Sequence, residues 1–155
     1  VENINFAGAT SGTLTMPNTI GLAVKNTSAT LIAADVDMGT GANQSYTATG
    51  TGANTVTLGS GAGQSATITG AVGVTQTVTL GAPAQSASTG AGTGRITSSV
   101  ANAKGSTFAS GAGAGDQLTI SDAGTTTLGA TAVTGGAAKF SGIETVVLTG
   151  ASPLA

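Results

Sequence analysis

Apolar and hydroxyl-bearing residues alternate along this chain with a period of two. "TLT" (13 to 15), "SYTATGT" (45 to 51), "NTVTLG" (54 to 59), "SATITG" (65 to 70), "QTVTLG" (76 to 81), "DQLTIS" (116 to 121), "TTTLG" (125 to 129) and "ETVVLTG" (144 to 150) share this alternation and close on Gly or a small polar residue. Successive side chains of a strand point to opposite faces, so the pattern predicts short strands separated by turns, with strands over 54–58, 66–69, 76–80, 117–121 and 144–149. Val56, Leu58, Ile68, Val78, Leu80, Leu118, Ile120, Val146 and Leu148 form the predicted core. The apolar run "TLIAADVDM" (30 to 38) lacks a helical period and is β-branched at Ile32 and Val36, so it too reads as strand-like.

The strands recur. Thr55-Val56-Thr57-Leu58-Gly59 returns as Thr77-Val78-Thr79-Leu80-Gly81, with Ala66-Thr67-Ile68-Thr69-Gly70 nearly midway. Half-coils of about 10 to 12 residues suit a β-solenoid, in which each coil lays its strands about 4.8 Å above the last. The same spacing suits an antiparallel β-sandwich. The expected fold is all-β: one solenoid-like module over 1–155, itself a unit of a longer tandem array, with the sandwich as the alternative.

Composition narrows this picture. Charged residues make up 6% and aromatic residues 3% of the chain, with 26 Gly and no Trp. So few large side chains cannot fill a wide interior, and a narrow stack of Val, Ile and Leu answers that shortage. Disordered chains are commonly rich in charge and Pro, whereas this one has 3 Pro and a mean hydropathy of +0.31. A net charge of -2 offers no basic face for a phosphate backbone, so nucleic acid is not an expected partner. The uncharged stretch from Met38 to Gly94 is interrupted by polar residues and Gly too often for a membrane-spanning helix. Zero Cys removes disulfides, and a start at Val1 suggests a processed chain or a piece of a longer one.

Without His or Cys there is no His-based triad, Cys nucleophile or Cys/His zinc site. The carboxylates are Glu2, Asp35, Asp37, Asp116, Asp122 and Glu144, of which Asp35 and Asp37 would share one strand face. A sugar-cleaving pair also wants stacking aromatics, which are scarce, so no catalytic residue is assigned. "GSGAG" (59 to 63), "GAGTG" (90 to 94) and "GAGAG" (111 to 115) match no phosphate-binding motif and read as turns between rungs. Gly111 to Leu118 approaches a calcium-binding nonapeptide around Asp116, but Ala112 and Ala114 stand where that motif has Gly. Loop carbonyls with Asp116 and Asp122, or with Asp35 and Asp37, are the oxygens open to calcium; no cofactor is required and no metal ligand is assigned. Asn26-Thr27-Ser28 and Asn43-Gln44-Ser45 are glycosylation sequons of a kind common by chance in such a chain. Thr-x-Thr triplets at 55–57, 67–69 and 77–79 would suit an ice-binding face if aligned, although their unequal spacing argues against alignment.

The segment Phe140-Ser141-Gly142-Ile143-Glu144-Thr145-Val146-Val147-Leu148-Thr149 resembles a phrase that recurs in bacterial surface-layer (S-layer) and RTX-related surface proteins, and "DQLTISDAGTTTLGATAV" (116 to 133) resembles the segment that precedes it. The resemblance covers residues 116 to 150. It implies a β-structured, secreted module at the cell surface that assembles with itself, often with calcium, and is held by a cell-surface glycan. The same phrase opens the chain: Val1 to Ala9 aligns with Ile143 to Ala151. That repetition leads to the expectation of a structural protein, not an enzyme, joined end to end through terminal strands with Ile4, Phe6, Val146 and Leu148 as contacts. An adhesin, stalk or ice-binding solenoid segment is the alternative.

Overall fold

The alternating segments form two parallel β-sheets. The computed structural model describes residues 2–6, 11–28, 34–122 and 139–150. One sheet carries β1 (Asn3–Phe6), β3 (Ala23–Asn26), β5 (Ser45–Ala48), β7 (Ser65–Ile68), β9 (Ser86–Thr89), β11 (Thr107–Ser110) and β13 (Lys139–Ser141) in that order. The other carries β2 (Gly12–Thr15), β4 (Ala34–Asp37), β6 (Asn54–Thr57), β8 (Thr75–Thr79), β10 (Thr93–Ser99), β12 (Gln117–Asp122) and β14 (Thr145–Gly150). Consecutive strands never pair with each other. The chain crosses to the opposite sheet after each strand and returns one rung further along, which makes a β-solenoid; a sandwich of hairpins would pair its strands antiparallel.

The repeat seen in the sequence is the spacing of the rungs. Thr55, Val56 and Thr57 pair with Thr77, Val78 and Thr79 on the even-numbered sheet. The intervening Ala66-Thr67-Ile68 pairs with Ala87-Ser88-Thr89 on the odd-numbered one. Strand boundaries fall within a residue of those predicted: β6, β7, β8, β12 and β14 lie where the alternation placed them. The predicted strand at 125–129 lies outside the described residues.

Strict register stacks core side chains into columns. Leu14, Val36, Val56, Val78, Ile96, Leu118 and Val146 follow one another along the even-numbered sheet. Facing them are Ile4, Val24, Tyr46, Ala66, Ala87, Phe108 and Phe140. Val56, Leu58, Ile68, Val78, Leu80, Leu118 and Ile120 are buried as expected. Within each strand these residues sit two apart and so share one face.

Val146 and Leu148 depart from the expected core, being 56% and 39% exposed. They stack on Leu118 and Ile120 in register, but β14 is the last strand of its sheet and no described strand lies beyond it. The short helix α1 (Val100–Ala103), for which the alternation gives no signal, follows β10; the Ser99 side chain caps it by accepting from Asn102 N.

Candidate assembly edges and the polar ladder between them

Buried glutamines hold one corner of the solenoid. Gln44, Gln64 and Gln85 stand immediately before β5, β7 and β9 and are at most 1% exposed. Each amide nitrogen reaches back to the preceding rung: Gln44 Nε2 donates to Thr19 O at 3.0 Å, Gln64 Nε2 to Gly41 O at 2.9 Å and Gln85 Nε2 to Gly61 O at 2.9 Å. The amides also join one another, Gln64 to Gln44 Oε1 at 3.1 Å and Gln85 to Gln64 Oε1 at 3.2 Å. A buried polar group without a partner costs about 1 to 3 kcal/mol, and these side chains satisfy turn carbonyls that the sheet ladders leave over.

The turns they grip stack too tightly for side chains. A Cβ on Gly61 would collide with the Gly41 carbonyl oxygen, and one on Gly113 with that of Gly92. The Gly-rich loops, read from the sequence as turns, are therefore also where successive rungs pack backbone on backbone.

The opposite corner begins in the same way and ends differently. Asn54 N and Asn54 Nδ2 donate to Gln76 Oε1 at 2.9 and 3.1 Å, while Gln76 Nε2 donates to Gly52 O at 2.9 Å. Two rungs on, Gly94 N donates to Asp116 Oδ1 at 2.5 Å, and Asp116 N donates to Glu144 Oε2 at 2.7 Å. Asp116 is fully buried and its second oxygen, Oδ2, has no hydrogen-bond partner. Tyr46 ties this corner to the interior, its hydroxyl donating to Asn54 Oδ1 at 2.9 Å and accepting from Asn26 Nδ2 at 3.5 Å. Burial pushes the Tyr46 phenol above its usual pKa, and the Asn26 contact offsets part of that rise.

Asp116, read from the sequence as a loop position, is thus a buried corner residue. Asp35 and Asp37 do share one exposed face of β4, with Thr13 and Thr55, and Thr15 and Thr57, as their rung neighbours. Among the described residues no group of three or more acidic, His or Cys side chains is placed to hold a metal. Asn26 is buried, with Oδ1 accepting from Ser28 N at 3.1 Å, so its sequon is closed to a glycan in the folded chain; Asn43 is exposed. No helix among the described residues is long and apolar enough to cross a membrane.

The proposed contact residues fall at both ends. Ile4 is 41% exposed on β1 and Val146 and Leu148 lie exposed on β14; the Phe6 side chain lies outside the described set. The sequence reading missed Phe140, 47% exposed on β13, whose ring stacks on buried Phe108 with centroids 5.3 Å apart. It also missed the glutamines, although a Gln-Ser pair returns at 44–45, 64–65 and 85–86 and marks their column. The two copies of the repeated phrase open onto different sheets, β1 at one end and β14 at the other. Comparison with protein-family models, curated proteins and solved structures finds no match.

Proposed function

We propose that the chain is a structural, self-assembling module of a bacterial surface layer or extracellular filament, joined end to end through its terminal strands and acting without catalysis. The observation that carries this reading is the pair of open ends. Among the described residues β1 and β2 are the outermost strands of their sheets at one end and β13 and β14 at the other, and the core columns surface there as Ile4, Phe140, Val146 and Leu148. Free edges with exposed apolar residues are templates for another chain, and natural solenoids commonly cover them. The nearly uncharged flanks keep copies apart only weakly, and the terminal phrase resembles that of surface-layer proteins. Such a module would work outside the cell, with a cell-surface glycan as its anchor and no cofactor required. Electron microscopy of the purified chain across a concentration series tests the reading: filaments or sheets are expected, and a strictly monomeric chain at high concentration would remove it.

A second reading rests on the outer face of the even-numbered sheet. Thr57, Thr79, Thr97 and Thr119 occupy four consecutive rungs in register. The triplets at 55–57 and 77–79 align on this sheet while 67–69 belongs to the other, which removes the misalignment inferred from their spacing. Hydroxyls and methyls repeat about every 4.8 Å along such a column, as an ice-binding face requires. Asp35, Asp37 and Arg95 interrupt the array, so assembly is the preferred function. A monomeric chain that inhibits ice recrystallisation would reverse that preference.

A further inference from the structure

Deepening the assembly reading, on which it rests, we propose that the solenoid continues from copy to copy in one fixed register. β13 of one copy pairs parallel with β1 of the next, and β14 with its β2. This places Phe140 on the next copy's Ile4 and Val146 on its Leu14.

Two features select a second copy, in this orientation, as the occupant. First, the odd-numbered column is exposed at both ends and buried between them: Ile4 and Phe140 close it, with Tyr46 and Phe108 sealed inside, while the even-numbered column runs from half-buried Leu14 to exposed Val146. The surfaces left open at the two ends are therefore consecutive layers of one stack, and a step along the axis brings them together. Second, all described strands of a sheet run parallel, so among the described residues β1 and β13 present opposite edges of their sheet. Translation matches the two edges, giving a heterologous contact that repeats along an axis, whereas a two-fold dimer would make an antiparallel joint and set Phe140 against Phe140.

The absence of Cys makes the register measurable. Asn5 and Ser141 are exposed and belong to one column, through the pairs Asn5 with Lys25 and Ala109 with Ser141. Across the proposed joint their Cα atoms would lie about 4.8 Å apart, within reach of a disulfide. In the full-length chain, the double variant N5C/S141C should give a ladder of dimers, trimers and higher species on mild oxidation and non-reducing electrophoresis. The off-register pair N3C/S141C places its thiols two residues out of step and should give at least about tenfold less. Each single variant should stop at a dimer, and circular dichroism should show the same strand content in all of them. Filaments or sheets that form without an N5C/S141C ladder, or with equal ladders from both pairs, would overturn this register while sparing self-assembly. Neither ladder nor assembly would overturn both.

Discussion

The two corners of the solenoid solve one problem with different chemistry. Both must satisfy polar groups where the chain turns from one sheet to the other, and both send a side chain back to the preceding rung. The Gln44, Gln64 and Gln85 corner does so with amides, whose nitrogen grips the rung before while the oxygen of Gln44 and of Gln64 receives the amide of the next glutamine. The Asn54 to Glu144 corner changes from amides to carboxylates, which can only accept when ionised. Asp116 caps Gly94 N with one oxygen and leaves the other unmatched. An amide can be repeated rung upon rung, because each copy supplies what the next one needs. A carboxylate takes without giving, so Asp116 and Glu144 cap the backbone of the rung before without joining one another through their side chains.

The largest expected effect breaks the amide corner. Gln64→Glu would turn a carboxylate toward the carbonyl oxygens of Gly39 and Gly41 and strip Gln44 Oε1 of its donor, at a cost of about 4 kcal/mol or more in urea denaturation. The reciprocal change should be mild. Asp116→Asn keeps an acceptor for Gly94 N and removes a buried charge, so its cost should stay below about 1 kcal/mol. A penalty for Asp116→Asn equal to that for Gln64→Glu would show that the corners do not differ as described.

Tyr46 sharpens the contrast, since the glutamine corner holds nothing that titrates. Its phenol, held protonated by burial, has a higher pKa folded than unfolded. The folded state therefore keeps the proton longer, so this contribution is constant below about pH 10 and is lost as pH rises through the folded pKa. Tyr46→Phe should cost about 1 kcal/mol at neutral pH and reduce the alkaline loss of stability in melts run between pH 8 and 11.

The smallest effect is stabilising. Ala84 sits at φ 56° just before Gln85, where Asn43 and Gly63 occupy the equivalent turn positions with φ 58° and 69°. A left-handed Ala carries about 1 to 2 kcal/mol of strain, partly offset by the extra freedom Gly has when unfolded, so Ala84→Gly should gain about 0.5 to 1 kcal/mol in the same denaturation assay.

Much of the fold was legible because alternation and spacing act directly on it. Thr55 to Leu58 and Thr77 to Leu80 look alike because they occupy the same place on successive rungs. Burial at the ends was not legible, since Val146 and Ile120 carry the same local signal and differ in whether another described rung lies beyond them. The glutamines escaped because Gln reads as a surface residue until its column is seen, and Asp116 because a Gly-rich run resembles a loop. The repeated phrase falls on the outermost described strand of a sheet at each end, but the phrase could not tell that its two copies lie on different sheets.

The backward reach of the corner side chains gives the molecule a direction of growth. A rung is complete only when its successor arrives, about 20 to 22 residues later in the middle of the chain and 28 later at the Asp116 to Glu144 step. For a chain emerging N-terminus first, each new turn locks the one already laid down, and the unfinished end is always the newest. Deleting the last rung should therefore loosen the rung before it by uncapping Asp116 N. Deleting the first should leave the Gln44 amide without the Pro17 and Thr19 carbonyls to which it donates.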